Sequence, residues 1–497
     1  MREEFYITTP IYYVNDKPHI GTAYTTILAD VLSRFKRDSG HNTFFLTGLD
    51  EHGQKVQEAS EQKNITAQKH CDEMAPRFIN LWKRLHISND DFIRTTEKRH
   101  KKIVQSILQR VMDNGDIYEA EYEGLYSVSE ERFITEKEAE SGDFRDIKNL
   151  KEKNYFFKMS KYQQQLIDHI KSNPKFIQPE HRKNEILGFL KNPLNDLCIS
   201  RPKSRLSWGI DLPFDDNYVT YVWFDALINY ITAAGFEQSD DKFGKWWPAS
   251  YHLIGKDILT THAVYWPTML FSAGISLPLS IYAHGWWLMG DSKMSKSLGN
   301  IINPIDLIDD YGVDPVRYYL MREMVLGQDS NFTMESFIQR YNSDLANDFG
   351  NLLSRVTTLI KKNYDGIIPQ PGELNEKDLI IKNLGVDLSK LVHKLVDEMR
   401  LNEAIEDIMQ FIRTVNKYME ENAPWKLVKD DKVAAGKILY VAGESLRLGA
   451  ILLSPIMPNR SATLLDALNV EGKNFSWGGL KPGRKLKDHE PLFPRIK

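Results

Sequence analysis

The sequence predicts an α/β protein with a doubly wound parallel sheet, followed by an all-α domain. Two observations support this prediction. Up to about Gly290, short β-branched and aromatic runs pass repeatedly into segments with helical periodicity, and such strand-to-helix steps build parallel sheets. From about Met334 the pattern changes to long helices with few strand signals, as in Leu345 to Leu359, Leu379 to Leu401 and Ala404 to Tyr418.

The composition is that of an ordinary globular protein. The chain has 497 residues, of which 42% are hydrophobic and 27% charged, and this balance excludes the disordered and membrane classes. Its length suits two to four domains at ~100–200 residues each. No apolar run reaches the ~18 residues that span a bilayer. The net charge of −4 means that any nucleic-acid binding must use local basic patches.

The two cysteines and the N-terminus favour a cytoplasmic location. Cys71 and Cys198 are too few for a disulfide framework or a four-thiolate metal site. The N-terminus enters the first predicted strand directly, with no apolar signal core and no transit helix. We therefore expect a protein of a reducing compartment.

The N-terminal stretch Phe5 to Phe35 is predicted to form one strand, one loop and one helix. Phe5 to Thr9 is a β-branched and aromatic run, and Pro10 is expected to end it because proline has no backbone donor. Asp30 and Arg34 are four residues apart and are expected to pair on the outer face of the helix. The apolar residues of the helix fall on one buried face at Ala23, Ile27, Leu28, Val31, Leu32 and Phe35.

The junction between this predicted strand and the predicted helix contains His19, Gly21 and Thr22. The unpaired N–H groups at a helix start suit a phosphate, and a glycine lets a ligand approach the backbone closely. Taken alone, the segment favours a structural loop in which the histidine and glycine are incidental.

A second strand, Thr43 to Thr47, leads to a loop that contains Asp50. Ligands of open α/β sheets bind beyond the carboxyl ends of the strands, so His19 and Asp50 are expected to face one crevice. Asp50 also fits a helix cap. The sheet is expected to resume at Tyr218 to Ala226 and to end with Ile281 to Gly285.

Far downstream the chain reads DSKMSKSLGN from Asp291 to Asn300. A His-Ile-Gly segment near the N-terminus followed at this distance by Lys-Met-Ser-Lys-Ser resembles the class I aminoacyl-tRNA synthetases. The residues from about Tyr6 to Trp425 are similar to the methionyl-tRNA synthetases within that class. The resemblance implies a nucleotide-binding domain of the class I Rossmann type with an inserted connective domain, and then a helical-bundle domain that binds the anticodon.

The resemblance divides the chain into five segments. They are the first half of the catalytic domain at 1–114, a connective insertion at 115–216, the second half at 217–290, the KMSKS loop and linking region at 291–340, and the α-helical anticodon-binding domain with the C-terminal tail at 341–497. Many relatives bind zinc in the insertion, but Gly124 to Glu131 has Ser and Glu where the thiolates would stand. We therefore predict no structural zinc and no other protein-held metal.

The implied reaction activates L-methionine with ATP and Mg²⁺ to methionyl-adenylate, and then transfers the methionyl group to tRNA(Met). AMP and pyrophosphate leave. Such catalysis needs positioning and charge neutralisation rather than a nucleophilic side chain. The family pattern assigns catalysis to His19, Thr22, Lys293 and Lys296, and ATP binding to these four with Gly21 and Ser295. Thr22 replaces the usual second histidine, and a neutral donor contributes ~0.5–1.5 kcal/mol against ~1.5–3 kcal/mol for a charged one.

Methionine offers an uncharged thioether, and each sulfur–aromatic contact contributes ~0.3–1.5 kcal/mol. An aromatic pocket is therefore the expected receptor. The resemblance implies that Asp50 holds the ammonium group, and that the wall is formed by Ile11, Tyr13, Trp223, Ala226, Tyr230, Ile258, His262 and Trp266. Ile258, His262 and Trp266 are spaced by four on one helical stripe. Leu227 stands where many relatives have proline.

In the helical domain, Asn351 and Arg355 are four apart and share a helix face. Trp425 follows Pro424, which favours a helix start. These positions match the anticodon-reading residues of the family, where unstacked bases lie on an aromatic ring. By itself, Trp425 also fits a core anchor. No appended dimerisation domain follows the helices, so a monomer is expected.

Two other functions stay open from the sequence. The chain is also compatible with another class I synthetase, for cysteine or a branched aliphatic amino acid. The missing thiolates argue against cysteine, and an insertion of about a hundred residues is short for the editing domain of the branched-chain enzymes. The second alternative, which Thr22 suggests, is a catalytically silent synthetase-like protein that binds tRNA.

Overall fold

The computed structural model describes residues 3–14, 18–127, 132–134, 139–140, 147–289, 292–293 and 302–496. The chain divides into two compact units. The first comprises Met1–Pro18, Asn42–Leu81 and Ser88–His284, and the second comprises His19–His41, Trp82–Ile87 and Gly285–Lys497. No helix of the described part is long and apolar enough to cross a membrane.

The strands of the described part are, in chain order, β1 (Glu4–Tyr13), β2 (Asn42–Asp50), β3 (Asp91–Arg94), β4 (Ile117–Ser127), β5 (Arg132–Ile134), β6 (Ile147–Phe157), β7 (Ile177–Gln178), β8 (Leu197–Cys198), β9 (Ser200–Pro202), β10 (Asp211–Leu212), β11 (Asp215–Thr220), β12 (Tyr251–Gly255), β13 (Ile281–His284), β14 (Trp287–Met289), β15 (Ser292–Lys293) and β16 (Ser330–Asn331).

The helices are α1 (Ile20–Asp38), α2 (Gln54–Gln62), α3 (Ala67–Arg84), α4 (Lys98–Asp113), α5 (Gln163–Ser172), α6 (Glu180–Phe189), α7 (Val222–Ala226), α8 (Asn229–Ala234), α9 (Asp240–Trp246), α10 (Trp266–Ala273), α11 (Pro304–Tyr311), α12 (Val313–Glu323), α13 (Met334–Arg340), α14 (Asn351–Asn363), α15 (Glu376–Asp397), α16 (Leu401–Asn422), α17 (Pro424–Leu427), α18 (Lys432–Leu453) and α19 (Pro458–Ala467). Met159–Tyr162 and Lys256–Ile258 are 3₁₀ turns, and Thr261–Tyr265 and Tyr341–Gly350 are wider π turns.

The first unit is built on a six-stranded sheet in the order β3-β2-β1-β12-β13-β7, with all neighbours parallel. In this sheet β2 and β3 lie on one side of β1, and β12, β13 and β7 lie on the other side. The chain order therefore switches between β1 and β12, where ligands of doubly wound sheets bind. This topology confirms the predicted fold class.

The prediction that Pro10 ends the first strand was wrong. β1 continues to Tyr13, and its register against β2 shifts between Thr8 and Ile11. A proline fits at such an irregularity because the ladder is already interrupted there. The extension carries Ile11 and Tyr13 to the carboxyl edge of the sheet.

The prediction that the central sheet resumes at Tyr218 to Ala226 was also wrong. β11 ends at Thr220 and pairs with β9 and β10 in a separate antiparallel sheet, and Val222–Ala226 forms α7. Packing overrides the strand propensity of this run, since the buried Phe224 ring meets Phe157 edge-on at 5.8 Å. The central sheet resumes instead at β12.

The predicted face of α1 is buried as expected, but Asp30 is not on the outer face. Its carboxylate accepts from Arg34 Nε at 2.7 Å, as predicted, and also from Arg317 at 2.6 Å. Both Asp30 and Arg317 are fully buried. The Arg317 guanidinium also donates to the carbonyl groups of Leu85, Pro455 and Ile456, so one cation ties together three parts of the second unit.

The predicted insertion contains a four-stranded antiparallel sheet in the order β5-β4-β6-β8. From the same stretch, Ile177–Gln178 forms the outermost strand of the central sheet beside β13. The second unit is mostly helical, and the three predicted helical stretches fall in Tyr341–Gly350, α14, α15 and α16. The domain boundaries stay predictions.

Candidate functional site

Four aromatic side chains meet at the switch point of the central sheet. Tyr230 in α8 stacks on His252 in β12 with 4.2 Å between ring centroids. The centroids of His262 and Trp266 lie 5.8 and 6.0 Å from that of Tyr230. All four are buried. We call Tyr230, His252, His262 and Trp266 the aromatic cluster.

The hydrogen bonds of His262 fix its tautomer. Nδ1 lies 3.0 Å from the carbonyl oxygen of Ile258, and because a carbonyl only accepts, Nδ1 carries the proton. Burial lowers the pKa of His262 to about 4, so the ring is neutral near pH 7. Nε2 therefore accepts, and the Tyr230 hydroxyl donates to it at 2.7 Å.

His252 is held in the same way, although no sequence pattern singled it out. Trp266 Nε1 only donates, and it lies 3.3 Å from His252 Nε2. The proton of His252 is therefore on Nδ1, which donates to Thr8 Oγ1 at 2.8 Å. Burial keeps the pKa of His252 well below its ordinary value. The cluster thus presents aromatic rings and no net charge.

Asp50 is the last residue of β2, directly opposite Tyr13 in the β1–β2 register. Its carbonyl accepts from the N–H of Val14 at 3.2 Å, and the residue is 8% exposed. The alternative that Asp50 caps a helix was wrong, because α2 begins at Gln54 after Gly53. Asp50 and Tyr13 therefore reach the carboxyl edge of the sheet on neighbouring strands.

The other predicted wall residues belong to the same region of the first unit. Ile11, Trp223 and Ile258 are partly buried and pack against the core that contains Tyr230 and Trp266. Ala226 ends α7 and is buried. Ile258, His262 and Trp266 are not on one regular α-helix as predicted, because the segment passes through a 3₁₀ and a π turn. Their roles toward a ligand stay predictions.

In the second unit, His19 caps α1. The N–H of Gly21 donates to His19 Nδ1 at 3.1 Å, so the proton of a neutral ring is on Nε2. A Cβ atom on Gly21 would lie 3.0 Å from His19 Cε1, so a side chain at this position would crowd the His19 ring. Thr22 is buried in the first turn.

The predicted lysine loop is described only in part. The backbone of Lys293 belongs to β15, which pairs with Leu288 in the antiparallel β14. Ser295 and Lys296 lie outside the described residues, as does part of the Gly124 to Glu131 stretch. Among the residues that are described, no group of three or more His, Cys, Asp or Glu side chains is arranged to hold a metal ion.

Two of the three predicted anticodon readers meet in the second unit. The guanidinium carbon of Arg355 lies 5.1 Å from the ring centroid of Trp425. Both line a cavity of about 320 Å³ together with Ser354, Thr358 and Leu359. Asn351 is exposed one turn before Arg355 on α14, and Trp425 is in α17, which begins at Pro424. Trp425 is half-buried. Its role toward the anticodon and the core-anchor alternative both stay predictions. We call Asn351, Arg355 and Trp425 the Trp425 face.

Comparison with known families places nearly the whole chain. Residues 5–143 and 144–357 match the family model described as tRNA synthetases class I (M). Residues 368–497 match the anticodon binding domain of methionyl tRNA ligase. The chain belongs to the methionyl-tRNA synthetase family. The alternative of a cysteine or branched-chain synthetase is therefore wrong.

Curated relatives agree with this family. The chain is 44% identical to a methionine–tRNA ligase of Caldanaerobacter subterraneus subsp. tengcongensis, over 100% of this chain and 79% of the relative. It is 46% identical to that of Fusobacterium nucleatum subsp. nucleatum, over 100% and 80%. The protein is thus similar in sequence to methionine–tRNA ligases along its full length.

Solved structures agree as well. Mycobacterium tuberculosis methionyl-tRNA synthetase in complex with methionyl-adenylate superposes with a TM-score of 0.95 at 39% identity, over 99% of this chain and 100% of that one. Its apo form gives a TM-score of 0.88 at 37% identity, over 100% and 99%. The protein is therefore an ATP-dependent class I ligase of the methionine branch.

Proposed function

We propose that the aromatic cluster and Asp50 bind L-methionine for activation by ATP. A carboxylate oxygen of methionine attacks the α-phosphorus, the bond to pyrophosphate breaks, and methionyl-adenylate forms. A ribose hydroxyl of tRNA(Met) then attacks the methionyl carbonyl, and AMP leaves. Neither step needs a covalent bond to the protein.

The observation that carries this proposal is the neutrality of the buried cluster. Two imidazoles with protons on fixed atoms, one phenol and one indole form a polarisable wall without charge. A thioether suits such a wall, because sulfur–aromatic contacts contribute ~0.3–1.5 kcal/mol each. A charged side chain would lose its hydration there without gaining a partner.

Asp50 supplies the negative charge that pairs with the ammonium group of an amino acid. Its carboxylate belongs to the carboxyl end of β2, next to Tyr13 of β1, and an α-ammonium group is its natural partner. With Ile11, Trp223, Ala226 and Ile258 completing the wall, the charged head and the apolar tail of methionine are recognised by separate groups.

On the nucleotide side, we assign the ATP phosphates to the start of α1. We propose that His19 and backbone N–H groups of the first turn of α1 donate to this anion, apart from the N–H of Gly21, which donates to His19 Nδ1. Lys293, Ser295 and Lys296 supply further donors and two cations. Bound together with ATP, Mg²⁺ would neutralise charge on the triphosphate.

We further propose that the Trp425 face binds the anticodon of tRNA(Met). A base stacked on the Trp425 ring gains ~1–3 kcal/mol, while Arg355 and Asn351 provide donors to base edges and phosphates. We also propose a cytoplasmic location, because tRNA and ribosomes are found there. We propose that the protein is a monomer.

The test is ATP–pyrophosphate exchange with each amino acid in turn. Methionine should support exchange, norleucine should do so at a higher KM, and charged amino acids should not. A hydrophobic pocket gains only ~1–3 kcal/mol from one group of methylene size, so norleucine is the close competitor. If none of the amino acids supports exchange, the catalytically silent alternative is favoured instead.

Lys296→Ala tests the lysine loop separately. Removing a cation from the transition state of phosphoryl transfer should lower the exchange rate by about 10²-fold or more. Exchange at the parent rate would show that Lys296 does not act on the triphosphate.

A further inference from the structure

A buried carboxylate outside the aromatic cluster joins two histidines. His52 Nδ1 lies 2.6 Å from one oxygen of Asp225, and His100 Nε2 lies 2.7 Å from the other. The side chains of all three residues are at most 4% exposed. We call His52, Asp225 and His100 the Asp225 triad.

The direction of both hydrogen bonds is fixed by chemistry. An ionised carboxylate only accepts, so His52 donates through Nδ1 and His100 through Nε2. Burial alone would raise the pKa of Asp225, but the two imidazoles outweigh burial and lower it to about 2. Asp225 is therefore an anion at neutral pH, with one donor on each oxygen.

The triad joins three separate elements of the first unit. His52 follows Asp50 by two residues in the loop after β2, Asp225 is between Trp223 and Ala226 in α7, and His100 is on α4. Two of these segments carry the proposed methionine-binding groups: the Asp50 carboxylate and the α7 wall.

Both ends of the triad are anchored to further groups. The carbonyl of Glu51 accepts from Trp208 Nε1 at 2.6 Å, and the Glu51 carboxylate accepts from Arg94 at 2.7 Å. On the other side, His100 Nδ1 lies 3.4 Å from Thr232 Oγ1 in α8. A shift of Asp225 would therefore move α7 against a loop that is itself held in place.

We propose that His52, Asp225 and His100 are positioning residues that set the distance between the Asp50 carboxylate and the α7 wall, and so set the affinity for methionine. This inference rests on the proposed function of those two groups. None of the three touches the reacting atoms. Their effect is on the spacing of the ammonium and thioether subsites, where a misplacement of about 1 Å can cost up to about 10²-fold.

His100 is the best residue to change, because it is on α4 and outside the proposed pocket. His100→Gln keeps an N–H donor near the position of Nε2, whereas His100→Ala removes it. We expect His100→Ala to raise the KM for methionine in pyrophosphate exchange about tenfold, with the KM for ATP within about twofold of the parent. His100→Gln should restore most of the methionine KM.

A second pair tests the other donor. His52 uses Nδ1, which the amide of asparagine imitates, so His52→Asn should stay closer to the parent than His52→Ala. The Asp225→Asn variant keeps the size of the side chain but offers one oxygen in place of two. It should raise the methionine KM at least as much as His100→Ala does.

Asp378→Asn is a matched control for loss of a buried carboxylate. Asp378 is 1% exposed and accepts from Tyr418 at 2.6 Å and from Lys437 at 3.0 Å, and none of these residues belongs to a proposed methionine-binding segment. It should lower the melting temperature and leave the methionine KM unchanged. The melting temperature of each triad variant identifies simple unfolding.

The outcomes separate this inference from the proposed function. If the parent shows no methionine-dependent exchange, the proposed function fails. If the parent is active and folded His100→Ala keeps its methionine KM, or raises both KM values equally, or is not rescued by His100→Gln, the positioning role is overturned.

Discussion

The aromatic cluster and the Trp425 face, the two proposed ligand sites, are held in opposite ways. In the cluster, Tyr230, His262 and Trp266 are almost fully buried, and hydrogen bonds between rings fix their orientation. At the Trp425 face the ring is half-buried, and its neighbour Arg355 lies 3.5 Å from the exposed carboxylate of Glu420. We therefore propose that the first site is organised before its ligand arrives, whereas the second is ordered by its ligand.

This difference has an energetic consequence. Buried groups with fixed partners lose much when one partner is removed, because the remaining group stays desolvated. Exposed pairs contribute ~0–1 kcal/mol, since water replaces either partner. Substitutions in the cluster should therefore cost more free energy than substitutions at the Trp425 face.

The largest effect is expected for Asp50→Asn. Losing the carboxylate leaves the methionine ammonium group unpaired in a buried site, at a cost of about 2–5 kcal/mol in kcat/KM for methionine. Pyrophosphate exchange measures it, and tRNA binding should not change. Asp72→Asn is the control, because that carboxylate is exposed in the same unit. An Asp50→Asn variant within twofold of the parent would contradict the assignment.

The second effect in size is expected from acid, which should destabilise the folded protein through His262. The pKa of His262 is lowered to about 4 in the folded protein from the ordinary value of about 6.5. Between those values the unfolded chain binds more protons, so the free energy of unfolding falls as pH drops from 6.5 to 4, by about 3 kcal/mol for this residue.

Urea unfolding at several pH values measures that dependence. His262→Gln should show a smaller loss over the same range than the parent. The cavity of the Trp425 face is lined by Ser354, Arg355, Thr358, Leu359 and Trp425, and no histidine is among them. Equal pH dependence in parent and variant would show that His262 is not the buried neutral base described.

A smaller effect is expected for Trp425→Ala. It should weaken tRNA(Met) binding by about 1–3 kcal/mol through the lost stacking and leave pyrophosphate exchange unchanged. Trp425→Phe should recover part of the loss. A filter-binding titration beside the exchange assay is decisive, since equal losses in both would indicate misfolding.

The smallest effect is expected for Glu420→Gln. The carboxylate holds Arg355 at 3.5 Å and is 68% exposed. Removing it lets Arg355 contact the RNA without a competing carboxylate and removes one negative charge. The affinity for tRNA should therefore increase by less than about 1 kcal/mol. Titrations at low and high salt check the sign, because the gain should shrink as salt rises.

Local patterns predicted the elements that depend on neighbours in sequence. The buried face of α1 and the helices of the second unit follow from apolar spacing, and His19, Tyr230, His262 and Trp266 were found through the family resemblance. Of these four, the last three meet in one cluster.

What the sequence did not predict depends on partners far along the chain. Asp30 is buried because Arg317 meets it, and Pro10 is tolerated because the β1 register shifts there. His252 could not be identified from the sequence, since the local pattern around a histidine near the start of a strand does not depend on whether Trp266 donates to it. No local periodicity contains such pairings.

The most direct test of the account is a crystal structure with L-methionine bound. The ammonium nitrogen should lie within hydrogen-bond distance of the Asp50 carboxylate. The thioether should lie against Tyr230, His262 and Trp266, with the cluster within ~1 Å of its present arrangement, as is usual for preorganised sites. Methionine bound elsewhere, or a cluster that repacks to admit it, would contradict the claim that this site is organised before its ligand arrives.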